Sequence, residues 1–193
     1  MIQRLLQSRK LIIAAHPDDE TFGVSSLLQN STILLVTDSN NSNFISRKRI
    51  LSDICKSQNA RLIELKFEAC KLDLIGVSTL LDSFRDALKS RDFDYIISHG
   101  PLEEHQDHKM IYSAAKLLAR PERTNFKGFL TYNVPQRNCS QSGLILKANE
   151  KLIEQYKPLV DRGFYNALTS HKKYIGACHN AGFADVLGVE YLR

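Results

Sequence analysis

At 193 residues the chain has the length of one domain, since a typical domain runs to roughly 150 residues. Hydrophobic residues at 43% and charged residues at 24% are ordinary globular proportions, which excludes a wholly disordered, collagen-like or coiled-coil chain. Lys+Arg 26 against Asp+Glu 21 leaves a net charge of +5, too small and too dispersed for a nucleic-acid-binding surface but compatible with an anionic ligand.

The N-terminal segment MIQRLLQSRKLIIAAHPDDE interrupts its apolar run, Leu11 to Ala15, with His16 and three acids, so it lacks the core of a signal peptide. No stretch reaches the roughly 18–20 apolar residues of a membrane span. Cys55, Cys70, Cys139 and Cys178 have no C-x-x-C spacing, and a chain of this size needs no disulfide staples. Free thiols and a cytoplasmic location are expected.

Along the chain, short β-branched or leucine-rich runs alternate with amphipathic ones, as in a parallel sheet covered by helices. The runs at 11–15, 32–37, 61–67, 94–98 and 128–133 read as strands. Between them, 21–30, 45–59, 76–90 and 107–119 carry helical spacing; Leu80, Leu81, Phe84 and Leu88, for example, share one face. Right-handed crossovers make such strands parallel. The polar segment TDSNNSN at 37–43 is a loop at the carboxyl edge of the sheet and faces a site. A second loop spans 133–143, a helix-like run follows at 146–157, and the tail is weakly patterned. With no repeat and no break in composition, residues 1–193 read as one domain.

The chemistry concentrates in two places. Ala15-His16-Pro17-Asp18-Asp19-Glu20 follows the first strand and puts an imidazole and three carboxylates within five residues. Carboxylates this close repel one another unless a cation or hydrogen-bond donors hold them, and a divalent metal suits a mixed His and Asp set. Acids favoured at a helix start by its dipole are the plainer explanation. His105-Gln106-Asp107-His108 follows the fourth strand and repeats the same ligand chemistry at the same level of the fold. In a doubly wound sheet of order 3-2-1-4-5, strands one and four are neighbours, and the crevice at their carboxyl ends is where such folds bind ligands. The two motifs are expected to converge there.

In composition, order and placement this pair of motifs resembles the signature of the LmbE/PIG-L family, zinc-dependent deacetylases of N-acetylglucosamine in larger glycans, glycolipids or glycosides. The likeness extends from about Leu11 to Ala119, with a weaker echo at Val189-Glu190-Tyr191. It implies a Rossmann-like α/β fold, doubly wound and mostly parallel, with helices on both faces. It further implies that His16, Asp19 and His108 bind zinc, that Asp18 is the general base, that His105 polarises or protonates the substrate, and that Asp107 orients its histidine neighbours. Two histidines and one carboxylate leave a coordination position open for water, and iron(II) accepts the same ligand set. Glu20 is expected to be a partner of a ligand histidine or a helix-start acid.

The chain also departs from the family's pattern. Arg47, Lys48 and Arg49 lack the expected acid beside them, where Ile50 stands and Asp53 is the nearest carboxylate. Ser170-His171-Lys172-Lys173 keeps only the histidine of a C-terminal motif, so His171 is a weak substrate-site candidate. Lys147, Lys151, Lys157, Arg162, Lys172 and Lys173 make a basic C-terminal third, read as a solvated surface or as a contact for an anionic substrate. No G-x-G-x-x-G, P-loop or G-x-S-x-G motif is present, and Cys178-His179 lacks a third partner. The expectation is a metal-dependent hydrolase of an N-acetylated amino-sugar conjugate, acting alone or as a homo-oligomer, without nucleic acid. Hydrolysis of another small amide, or an idle sugar-binding module, are the alternatives.

Overall fold

Strands that are apolar on both faces have to be covered on both sides, and this requirement organises the chain. The computed structural model describes residues 2–89, 91–120, 126–134 and 143–192. Its strands are β1 (Lys10–Ala14), β2 (Ser31–Asp38), β3 (Arg61–Glu68), β4 (Tyr95–His99), β5 (Gly128–Tyr132), β6 (Leu144–Lys147) and β7 (Ala184–Leu192). They form one sheet of order β3-β2-β1-β4-β5-β7-β6. The first five are parallel, in the expected 3-2-1-4-5 order, and β7 and β6 extend the sheet antiparallel.

Successive side chains on a strand point to opposite faces, which divides the interior in two. Ile12, Ile33, Leu35, Ile97 and Leu130 pack on one side. They meet Phe22 of α2 (Asp19–Val24), Leu51 and Ile54 of α3 (Ser42–Ser57), Leu152 of α6 (Glu150–Glu154) and Leu168 of α7 (Arg162–Cys178). Leu11, Ile13, Leu34, Ile96 and Phe129 face the other way, against Leu80 and Phe84 of α4 (Val77–Ala87) and Ile111 and Ala114 of α5 (Gln106–Leu118). A short α1 (Ile2–Gln7) precedes the sheet. The fold is thus α/β and doubly wound with helices on both faces. Among the described residues no helix is long and apolar enough to cross a membrane.

Several expectations change. The helix expected at 45–59 begins at Ser42, because the Asn41 side chain accepts hydrogen bonds from the N–H groups of Asn43 and Phe44 and caps it. The helix expected at 21–30 covers only Asp19–Val24 and tightens into a 3-10 turn at Ser25–Leu27. There the buried Asp185 carboxylate accepts from the Ser26 N–H at 2.7 Å and the Ser25 hydroxyl at 3.2 Å. The run at 146–157 is not one helix: Leu144–Lys147 pairs with β7, placing Leu144 and Leu146 inward with a period of two, and only Glu150–Glu154 is helical beyond it. The weakly patterned tail holds α7, capped by Asp161 accepting from the Phe164 N–H at 2.9 Å, and the long strand β7. Of the loop expected at 133–143, residues 135–142 lie outside the described residues.

The basic C-terminal third is not uniformly a surface either. Lys172 is 1% exposed and its Nζ lies 2.5 Å from Asp185 Oδ1, so this pair joins α7 and β7 to the turn after α2 inside the protein. Removing one partner of a buried pair leaves the other charge uncompensated. Asp185→Ala is therefore expected to destabilise the fold by about 3–5 kcal/mol, read from the midpoint of urea unfolding.

Candidate metal centre

Parallel pairing of β1 with β4, Lys10 opposite Tyr95 through Ile12 opposite Ile97, brings their carboxyl ends side by side. The chain leaving β1 is fixed at Ala15. Its N–H donates to His99 Nε2 at 3.1 Å, and its carbonyl accepts from the Thr37 hydroxyl of β2 at 2.6 Å. The next residues form a tight turn in which the N–H groups of Asp18 and Asp19 reach the His16 carbonyl at 3.0 and 3.3 Å. Asp19 Oδ2 accepts from the His16 N–H at 2.8 Å, which folds this carboxylate back over the histidine. On the other side, the chain leaving β4 enters α5 with His105 as its N-cap, His105 Nδ1 accepting from the Asp107 N–H at 3.2 Å. The first turn of α5 then carries Asp107 and His108 into the same crevice.

Three atoms able to ligate a metal meet there. His16 Nδ1 and His108 Nε2 are each 3.3 Å from Asp19 Oδ2, and 3.4 Å from one another. Bonds of about 2.0–2.1 Å in a tetrahedral zinc site put neighbouring ligand atoms about 3.3–3.4 Å apart, so this triangle fits one face of such a tetrahedron. The donor set also suits iron(II).

Each imidazole is held from behind by a carboxylate. His16 Nε2 is 3.1 Å from Asp107 Oδ2, and Asp107 is itself fixed by the N–H groups of Cys70 at 2.7 Å and Leu72 at 3.1 Å. Asp107 thus bonds a histidine on the other motif rather than the side chain of a sequence neighbour. His108 Nδ1 is 3.0 Å from Glu103 Oε2, whose other oxygen accepts from the Val134 N–H at 2.6 Å. His99 is fully buried and stacks on His108 with ring centres 3.8 Å apart. Sequence reasoning missed Glu103 and His99. Glu103 stands beside Glu104 in a loop where spacing alone does not choose between them, whereas a histidine at the end of an apolar strand was a signal for His99.

Asp18 points beside the triangle rather than into it, with Arg47 Nη1 of α3 donating to its Oδ2 at 2.6 Å. The displaced acid Asp53 instead pairs with Lys56. Glu20 accepts from the Thr21 hydroxyl at 2.6 Å and the Tyr156 hydroxyl at 3.3 Å. It is a buried acid in the first turn of α2 and makes no bond to a ligand histidine. His105 lines the cavity above the triangle, its ring centre 4.8 Å from those of both His16 and His108. The cavity measures about 1010 Å³, and Ser39, Asn41 and Asn43 of the polar loop after β2 line it. His171 lies outside this lining.

The electrostatics describe a pocket that demands positive charge. Burial alone would lower the His16 pKa, but its bonds to Asp107 and Asp19 hold it at about 9. Burial likewise opposes protonation of His108, and Asp19 and Glu103 hold it at about 10. Asp19 stays well below the carboxylate range despite its burial, because His108 and His16 face it. Burial and the neighbouring Asp19 raise Asp18, with Arg47 pulling it back. Burial and the charges of His16 and His108 lower His105 below the ordinary histidine range. Protons on two histidines thus do the work that a divalent cation would do at the same point.

Similar proteins place this arrangement. By fold the chain resembles the N,N'-diacetylchitobiose deacetylase of Pyrococcus horikoshii (TM-score 0.68, 11% identity, covering 98% of this chain and 86% of that one). It equally resembles teicoplanin deacetylase Orf2 in a zinc-inhibited form (0.68, 11%, 94% and 98%). The 4-carboxy-2-hydroxymuconate hydratase GalB of Pseudomonas putida KT2440 has the same fold (0.64, 13%, 97% and 98%), so the fold alone does not select one reaction. Among curated proteins none matches the sequence. Residues 11–119, more than half of the chain and including both His- and Asp-bearing motifs, match the family described as PIG-L: GlcNAc-PI de-N-acetylase, and to this family of deacetylases the chain belongs.

Proposed function

We propose that the protein hydrolyses the N-acetyl group of an N-acetylglucosamine-type amino sugar or its conjugate, using one divalent metal held by His16, Asp19 and His108. The observation that carries this reading is the triangle of His16, Asp19 and His108 atoms with 3.3–3.4 Å edges, set in the wall of a large cavity with the carboxylate of Asp18, paired with Arg47, beside it. Zinc is the preferred ion and iron(II) the alternative. Residues 1–193 act as one catalytic domain, and free Cys55, Cys70 and Cys178 are in keeping with a reducing cytoplasm.

When bound, such an ion supplies Lewis acidity and an activated water. Asp18 would be the base beside an ion so held, taking up a proton on its carboxylate during attack on the amide carbon and giving it back to the departing amine. Arg47 keeps the Asp18 carboxylate in place through Oδ2. The N-cap bond places a lone pair at His105 Nδ1 and therefore the imidazole proton at Nε2, so His105 serves as a neutral donor to the oxygen that gains charge. This favours polarisation over proton donation for that residue. Asp107 and Glu103 fix the orientation of the two ligand imidazoles. Arg47 is the one Lys or Arg among the described lining residues, which also include Asp18, Asp19, Glu103, Glu104 and Asp161, so the cavity favours an uncharged substrate over an anionic one.

Acetate release from N-acetylglucosamine conjugates tests the reaction: it is expected with metal, lost on chelation and restored by zinc or iron(II), and an inactive metal-replete protein would refute it. Replacing His16, Asp19 or His108 by Ala should remove most of the metal found by elemental analysis. Asp18→Asn should keep the metal and lower kcat by about 10²–10⁴-fold, since the amide cannot accept the proton.

His105→Ala should likewise retain metal and lower kcat by about 10²-fold or more, and a metal-free variant would make His105 a ligand instead. Chelated protein should show its own pH dependence. His16 and His108 bind protons in the fold at pKa values of about 9 and about 10, above the ordinary 6.5. Their contribution is fully present below pH 6.5 and is lost as pH rises through 9–10, so thermal stability should fall across that window in the chelated protein and not in the metal-loaded one.

A further inference from the structure

We infer that His99 is a positioning residue of the metal centre: it ties the loop that leaves β1 to the start of α5, and so sets the spacing of His16, Asp19 and His108. The inference deepens the metal reading proposed above and rests on it. His99 is the last residue of β4 and is fully buried, and it touches both motifs without belonging to either.

Its Nε2 accepts from the Ala15 N–H at 3.1 Å, one residue before His16. The Tyr132 hydroxyl comes within 3.4 Å of the same nitrogen but donates to the Ile13 carbonyl at 2.9 Å, so both side chains grip the chain where it leaves β1. A backbone N–H can only donate, which makes Nε2 the unprotonated nitrogen and puts the imidazole proton at Nδ1. Asp19 Oδ2 lies 3.5 Å from Nε2. With no proton between them, His99 makes no claim on that oxygen, which stays open toward the triangle. The ring of His99 also lies face to face with His108, centres 3.8 Å and planes 17° apart. Glu103 holds the Nδ1 edge of His108 and His99 covers its face, so this imidazole can neither swing nor tilt away from the other two atoms.

His99 is not itself a ligand, since its one lone pair is given to Ala15. Packing alone does not account for an imidazole here either. Its Nδ1 is buried without a hydrogen-bond partner among the described residues, because Glu103 Oε1, 3.5 Å away, accepts from the Val134 N–H instead. An orphaned donor of this kind costs free energy that a phenylalanine ring of similar shape would avoid. What phenylalanine could not supply is the acceptor for Ala15.

The test titrates chelator-stripped protein with zinc in competition with a chromophoric chelator, and reads the midpoint of urea unfolding alongside. His99→Phe keeps a stacked ring and removes the acceptor; it should weaken zinc binding by about 10–100-fold. His99→Gln, whose amide oxygen can reach the position of Nε2, should recover part of that loss. Leu152→Ala, at a buried position of α6 outside the cavity lining, should lower the unfolding midpoint and leave zinc affinity unchanged. In the unsubstituted protein, proton–nitrogen correlation spectroscopy of the imidazole rings should find the His99 proton on Nδ1, a measurement that decides the matter even where His99→Phe fails to fold. Zinc held by His99→Phe as tightly as by the unsubstituted protein, an equal loss in Leu152→Ala, no recovery in His99→Gln, or a proton on Nε2 overturns the inference and leaves the metal centre in place. An unsubstituted protein that binds neither zinc nor iron(II) overturns both.

Discussion

Carboxylates buried within reach of one another are tolerated only where positive charge sits among them, and this constraint governs the carboxyl edge of the sheet between β1 and β4. Asp18, Asp19, Glu103 and Asp107 are all buried there. The charge that reconciles them is shared by His16, His108 and Arg47. A divalent ion at this triangle would replace two histidine protons with one centre of charge at the point where Asp19 already aims. The deep burial of these groups, costly in a merely structural cluster, is what an electrostatic catalyst requires, because charges act more strongly where water is excluded.

The sheet makes this arrangement possible by geometry. In a doubly wound sheet the order in which strands are added reverses between the first and fourth, so two loops that leave these adjacent, parallel strand ends diverge around a crevice. Each loop arrives already stiffened: the first by hydrogen bonds from Thr37 and to His99, the second by the His105 cap of α5. Neighbouring elements complete the site from outside the motifs. Backbone N–H groups of Cys70 and Leu72, after β3, fix Asp107, and Val134, after β5, fixes Glu103. A change in any of these surrounding strands would therefore reach the ligand histidines through their supporting carboxylates.

Much of this was readable beforehand, for identifiable reasons. The five parallel strands announce themselves because burial on both faces demands continuous apolar runs, as in Leu34-Leu35-Val36. The two motifs stand out because a histidine amid several acids has few innocent explanations after a strand. The C-terminal region was obscure because β6 and β7 are antiparallel and half covered, so their patterns are short and mixed. Lys172 shows the same difficulty in one residue: its charge suggests a surface, and only Asp185, 13 positions later in the chain, makes its burial tolerable.

By itself the sequence determined the alternation of strands and helices, the two loops that carry ligand chemistry, and the residue types able to hold a divalent ion, since these depend on local periodicity and on chemistry within a few positions. Tertiary structure alone decided which carboxylate supports which histidine. His16 and Asp107 are 91 positions apart, and Glu103 rather than Glu104 faces His108 because the β4–α5 loop turns it inward toward the Val134 N–H. Tertiary structure also decided that His105 spends its Nδ1 on a helix end and that Arg47 meets Asp18. Hydrogen bonds and side-chain packing act over a few ångströms in space, and the chain's linear order does not encode which distant residues will come within that reach.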